Sequence, residues 1–216
     1  MTTSVTAPSL RTGSVAGRRT PQLLAALVVA WLAVVVALSA AGVFTGPASS
    51  PPIALGIFSA GPPLAVLVAL LVSPRVRAWA RAADLRMLTQ LQMLRVAGFT
   101  LLALGVVGTL PRSFALPAGI GDVFVALTAP LVATFVLGTR RRWIFVAWTV
   151  FGILDLIDAV TLGVLDTSST IGLLHHGSIS ADAMGTLPLS VIPVFGVPFT
   201  MILHLLSLPH LRRWHD

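Results

Sequence analysis

The sequence predicts an all-α fold, a polytopic transmembrane helical bundle of about six spanning helices plus a short interfacial helix, on three observations. Of the 216 residues, 56% are hydrophobic and only 10% are charged, whereas a soluble domain carries roughly 25% charged residues. The mean hydropathy is +0.96, and the apolar residues gather into runs near the ~20 residues that cross roughly 30 Å of hydrocarbon. The fourteen basic residues, all arginine, collect beside alternate runs, as they do in cytoplasmic loops.

Residues 1–21, with Arg11, Arg18 and Arg19, are polar and read as a disordered cytoplasmic tail. A single transmembrane domain, 22–208, follows. Its first span, 22–44, has a rival reading as a cleaved signal peptide, because Ser39-Ala40-Ala41 has the small-x-small form of a cleavage site. A retained anchor is expected, since the run exceeds the ~7 to 15 residues of a signal core. The second span, 53–72, contains Pro62 and Pro63, where the helix should kink or begin. Residues 76–86 read as the interfacial helix, with Arg77, Arg81 and Asp84 on one face and Val76, Trp79, Ala80, Ala83 and Met87 on the other. No proline follows before Pro111, so it can run on into the third span, 88–110.

The fourth span, 119–137, ends at Arg140, Arg141 and Arg142, and the fifth covers 143–165. A polar loop, 166–186, precedes the sixth span, 187–208, which carries Pro193 and Pro198, and 209–216 is a basic tail. Every arginine but Arg112 then belongs to one side, Arg95 lying in the inner half of span three. The expected placement is the cell inner (plasma) membrane, multi-pass, with both termini cytoplasmic.

A net charge of +7 raises nucleic-acid binding, but no nucleic-acid motif or aromatic-basic stacking surface accompanies it, so no nucleic-acid partner is expected. The expected partners are the lipid bilayer, a small ion or solute, and a homo- or hetero-oligomer. The absence of cysteine excludes disulfides, thiolate chemistry and Cys-ligated zinc or iron-sulfur clusters. No cofactor is expected, and a bis-His haem is unavailable because His204 has no histidine at its own depth. No P-loop, G-x-S-x-G or H-E-x-x-H signature is present.

Ionised groups near the bilayer centre cost about 2.5 to 3.5 kcal/mol on insertion scales, so they normally face the bundle interior and have partners. Five residues qualify: Arg95, Asp122, Asp155, Asp158 and His204. A 1.5 Å rise per residue puts Asp155 near the midplane, with Asp158 roughly 5 Å and Asp122 roughly 10 Å outward, and Arg95 roughly 6 Å and His204 roughly 10 Å inward. Helical phase groups Trp148, Phe151, Asp155, Asp158 and Leu162 on one face of the fifth helix. It groups Ser190, Pro193, Val197, Thr200, His204 and Ser207 on one face of the sixth. Asp122 sits above a small-residue seam, Ala126, Ala129 and Ala133. Together these residues trace an intramembrane polar track suited to proton or cation movement. The plainer reading is that Asp155 and Arg95 simply pair and fix helix register. In the outer loop His175, His176, Asp166 and Asp182 are ligand types that a divalent metal could use, although no spaced motif accompanies them, and a solvated loop is the plainer expectation.

Phe114, Pro117, Ala118, Gly119, Gly121 and Asp122 form F-x-x-P-A-G-x-G-D, with Gln92-x-x-Arg95 upstream and Pro198 to His204 in the last span. This pattern resembles that of an uncharacterised family of small bacterial multi-pass membrane proteins. The resemblance implies a bacterial inner-membrane location and no activity. Physically, Pro117 should start a helix and Asp122 should sit near its first turn as a cap, within reach of Arg112. The best functional expectation is a small proton- or ion-coupled transporter or permease-like protein. The alternative is a non-transporting membrane subunit or assembly partner using the alanine seam, and the third reading is a metal-dependent membrane enzyme.

Overall fold

The computed structural model describes residues 16–47, 50–175 and 177–213. Those residues form helices α1 (Ala16–Ala40), α2 (Ile53–Val72), α3 (Pro74–Ala82), α4 (Leu85–Gln90), α5 (Gly98–Val106), α6 (Arg112–Phe135), α7 (Arg142–Leu165) and α8 (Val197–Ser207). Six helical segments are long and apolar enough to cross a membrane, beginning at Gln22, Ile53, Leu85, Arg112, Arg142 and Ile192. The third joins α4 to α5 through a 3₁₀ stretch, Leu91–Ala97, and the sixth enters α8 through a π-type turn, Ile192–Gly196.

The distribution of side chains is that of a bundle solvated by lipid. Large apolar residues such as Leu27, Val68, Leu131 and Phe135 are exposed on the span surfaces, while Gln92, Arg95, Thr149, Ser190, Thr200 and His204 are each 3% exposed or less. Water would favour the reverse arrangement.

Several boundaries differ from the sequence reading. Helix α1 begins at Ala16, inside the expected tail, although that stretch carries Gly17 and Pro21; the rest of that tail, residues 1–15, lies outside the described residues, as do 214–216. Pro62 and Pro63 lie within α2 rather than at its start. The interfacial helix does not run into span three, because it ends at Ala82 and Asp84 restarts the chain as an N-cap, accepting the Arg86 N–H at 2.8 Å. Arg77 donates to the Leu70 and Leu71 carbonyls at 2.9 and 2.8 Å, satisfying the otherwise orphaned C-terminus of α2. The loop after α7 is folded rather than solvated: Asp166, Thr167, Ala181 and Met184 are buried in it. The sixth span therefore starts at Ile192 instead of 187.

Helix α8 packs against α2, α4 and α7, and α6 packs against α5 and α7, so the polar interior lies where α6, α7, α8 and the 3₁₀ stretch converge. Helix α1 stands to one side, held by Val35, Trp31 and Leu38 against Phe58, Val194 and Phe195.

Candidate functional site

Residues Leu91–Ala97 carry Gln92 and Arg95 on a 3₁₀ stretch seven residues long, whereas runs beyond three or four are uncommon and mid-helix ones often mark hinges. Arg95 is 3% exposed. Its Nε donates to Asp122 Oδ1 at 2.7 Å, its Nη1 to the Gly152 carbonyl at 3.1 Å, and its Nη2 to Asp155 Oδ2. One guanidinium thus ties α6 and α7 to span three and divides its fork between two carboxylates.

The contact between Arg95 and Asp122 corrects the depth estimate, which separated them by several turns. Helix α6 starts at Arg112, so Pro117 lies inside it and Asp122 is mid-helix rather than a first-turn cap. Arg112 turns instead to the Gly105 carbonyl at 3.4 Å. The long arginine side chain closes the remaining distance.

The F-x-x-P-A-G-x-G-D stretch now has a role for most of its residues. A Cβ on Gly119 would fall 2.7 Å from Leu102 and 2.9 Å from the Gly98 carbonyl, so glycine there lets α6 close on span three. A Cβ on Gly121 would occupy the Asp155 carboxylate. Phe114 packs beside Gly163 of α7, and Ala118 is fully buried. The motif is the surface of α6 that admits two helices and presents Asp122 to Arg95.

His204 stands on the other side of Gly152. A Cβ on Gly152 would meet its ring Cε1 at 2.7 Å and Arg95 Nη1 at 3.3 Å. Trp148 meets the ring edge-on at a centroid distance of 5.3 Å and is itself held by donating from Nε1 to Thr128 Oγ1 at 2.9 Å. Gln92 Nε2 donates to the Thr200 carbonyl at 3.0 Å, one turn above His204. Gln92 Oε1, Thr149 Oγ1 and His204 Nε2 are buried without a hydrogen-bond partner among the described residues, where such atoms normally have one. All three lie on the arginine-rich side of the Asp-Arg-Asp cluster, by their positions along span three, α7 and α8.

Of the five track residues, Arg95, Asp122, Asp155 and His204 are brought together. Asp158 is not: it is exposed on α7, beside exposed Leu154 and Ile157. The buried face of α7 is Phe145, Trp148, Thr149, Gly152 and Leu156, so the expected face is turned too far, and Phe151 is exposed against Phe124. Hydrophobic phasing gave no weight to Gly152 or Thr149, which decide the packing; their i, i+3 spacing was the available signal. Of the stripe expected on the sixth span, Pro193, Thr200, His204 and Ser207 are buried and Val197 is half-buried, while Ser190 is buried in the turn that precedes the span.

The loop residues do not form one site, although His175 lies near Asp182. Asp166 accepts from the Ser113 hydroxyl at 2.8 Å, and Asp182 accepts from the Ser168 N–H at 3.1 Å and from its hydroxyl. His175 is half-buried, and His176 lies outside the described residues. Among the described residues no group of three or more His, Asp or Glu side chains is placed to hold a metal ion. Burial works to raise the Asp182 pKa, but hydrogen bonds from Ser168 and Ser180 and the nearby His175 hold it below the ordinary carboxylate value.

Two cavities meet at Asp122. One, of about 250 Å³, reaches from the exposed rim residues Thr45, Pro47, Ser50 and Asp182 down to Asp122, between α2, α6, α7 and the 181–186 segment. The other, of about 210 Å³, lies between span three and span six and touches both Arg95 and Asp122. Asp122 Oδ1 is taken by Arg95, and Oδ2 has no hydrogen bond among the described residues.

No curated protein and no solved structure matches the chain. A family model does match, over residues 52–212, which leaves α1 outside and includes every residue of the Asp-Arg-Asp cluster and its histidine. On that match, which covers well over half of its length, the chain belongs to the family described as domain of unknown function DUF8737.

Proposed function

We propose that the protein carries a proton or a small cation across a bacterial inner membrane, in the manner of a small transporter or permease, with the arginine-rich end cytoplasmic. One observation carries this reading: the buried cluster holds two carboxylates, Asp122 and Asp155, for one guanidinium. With both ionised it bears a formal charge of −1, and a single proton or monovalent cation neutralises it. A net charge in a low-dielectric interior is strongly disfavoured, so the cluster attracts such a partner.

The route follows the polar atoms. A cation entering the larger cavity meets Asp122 first, and neutralising Asp122 weakens its hold on Arg95, which keeps Asp155 and the Gly152 carbonyl. The 3₁₀ stretch bearing Arg95 is the segment suited to shift in response. Beyond it His204 Nε2, Thr149 Oγ1 and Gln92 Oε1 supply the polar partners that a water or a proton in transit needs. The orientation follows the arginine asymmetry of the connections.

Purified protein in proteoliposomes with an internal pH or cation dye tests the reading. Asp122→Asn and Asp155→Asn should each bring flux down to that of empty liposomes. Unchanged flux of every ion in both variants would sink it.

A second reading, a non-transporting subunit of a hetero-oligomer, is favoured by one observation alone, the exposed Asp158 on the lipid-facing side of α7. The alanine seam gives it no support, because Ala126, Ala129 and Ala133 are already buried within the chain.

A further inference from the structure

We infer that the cavity of about 250 Å³ is a binding site for a small organic cation, an ammonium group carrying an apolar body of about one ring, with the ammonium on Asp122. The inference rests on the reading above and names the class of cation it concerns.

The walls decide between kinds of cation. Phe44, Leu55, Phe114, Val160, Met184 and Val197 line the cavity with carbon, and its polar groups are few, chiefly Ser59 and Thr167 on the sides, Asp182 at the rim and Asp122 at the floor. A hydrated metal ion entering here would shed water against hydrocarbon. Hard cations such as calcium take six to eight oxygen ligands, and the floor offers one unoccupied carboxylate oxygen, Asp122 Oδ2. An ammonium needs only a few acceptors, and its apolar body gains by leaving water at roughly 25 cal/mol for each Å² buried.

Three further features fit the same ligand. Phe44 and Phe114 are among the lining residues, and aromatic rings are groups that attract organic cations. The carboxylates of Asp182 at the mouth and Asp122 at the floor set a negative potential along the entry, which draws cations and rejects anions. Met184 is unbranched and adapts to ligand shape. Pockets of this kind, mostly apolar with a few convergent polar groups, are the usual form of small-molecule sites.

The test uses the full chain in lipid nanodiscs, with benzylammonium as the probe and benzyl alcohol as its neutral counterpart, followed by calorimetry. Benzylammonium should bind saturably and the alcohol about tenfold or more weaker, the usual scale of a lost charged hydrogen bond. Asp122→Asn should weaken the amine by a similar factor. Because that variant disturbs the Arg95 pair, Val160→Phe, which fills the cavity away from the cluster, is the second variant and should abolish binding while the thermal midpoint stays near that of the parent. Equal binding of amine and alcohol, or amine binding that survives Val160→Phe, overturns the inference. If no amine binds while Asp122→Asn and Asp155→Asn still stop proton flux, this inference fails and the transport reading stands. If the amine binds as described while neither variant alters any flux, the site stands and transport does not.

Discussion

Arg95 is the residue on which the interior depends, because among the described residues it alone pairs with the carboxylates of Asp122, which is buried, and Asp155, which is half-buried. Replacing it with leucine strands Asp122 and Asp155, and breaking such a buried pair typically costs about 3 to 5 kcal/mol. Arg95→Leu should therefore be strongly destabilised in detergent unfolding, and adding Asp122→Asn with Asp155→Asn should recover most of the loss. A single variant as stable as the parent would show that the pairs hold nothing together. At the loop end Asp182 behaves differently, since its lowered pKa means that its hydrogen bonds favour the ionised form. The stability it contributes is present above the ordinary carboxylate value of 3.8 and is lost as pH falls through its lowered folded value. The Ser168 amide, which donates to Asp182, should lose protection relative to its intrinsic exchange rate over that acid window, and Asp182→Asn should remove this loss of protection.

Among the elements, span three and α6 meet through the facing glycines Gly98 and Gly119, which let the two backbones close on each other. A Cβ on Gly98 would lie 2.5 Å from Asp122 Cβ and 2.9 Å from the Gly119 carbonyl. Gly98→Ala and Gly119→Ala should each destabilise the bundle by about 1 to 3 kcal/mol through overpacking, and both should displace Asp122 from Arg95. Gly56 of α2 provides the contrast, because nothing lies within 4 Å of a Cβ there. Gly56→Ala should be neutral or stabilising by roughly 0.5 to 1 kcal/mol, the usual helical preference for alanine. Thermal unfolding of the three variants side by side separates these outcomes; equal effects would mean that close approach is not what the glycines provide.

For the whole molecule, the proposed orientation would put both termini and the loops rich in arginine on one side of the membrane, the cytoplasm. Reporter fusions at residue 216 and in the 138–141 turn should be active in the cytoplasm, and one inserted at 177 should be active only when exported. An exported reporter at the C-terminus would break the even count. The match from residue 52 onward leaves the peripheral α1 outside, and the site is assembled from the later spans.

What could be read before folding was whatever depends on one segment at a time. Hydrocarbon length and arginine placement marked six spans, and helical phase alone found the buried stripe of Thr200, His204 and Ser207 on α8. The candidate charges inside the spans were visible for the same reason, since each is conspicuous within its own apolar run. Their grouping was not visible: rise per residue set Arg95 and Asp122 several turns apart, because it knew neither where α6 begins nor how far an arginine reaches. The facing of α7 is not legible in the sequence because Gly152 has no side chain to carry a phase, yet its missing Cβ is what admits His204 and Arg95. Sequence alone determined that this chain is a membrane-spanning helical bundle with a few charges inside it, because transfer of each segment out of water is a local free energy. Only tertiary structure decided that two carboxylates share one guanidinium beneath a cavity, because that depends on how closely separate helices can approach.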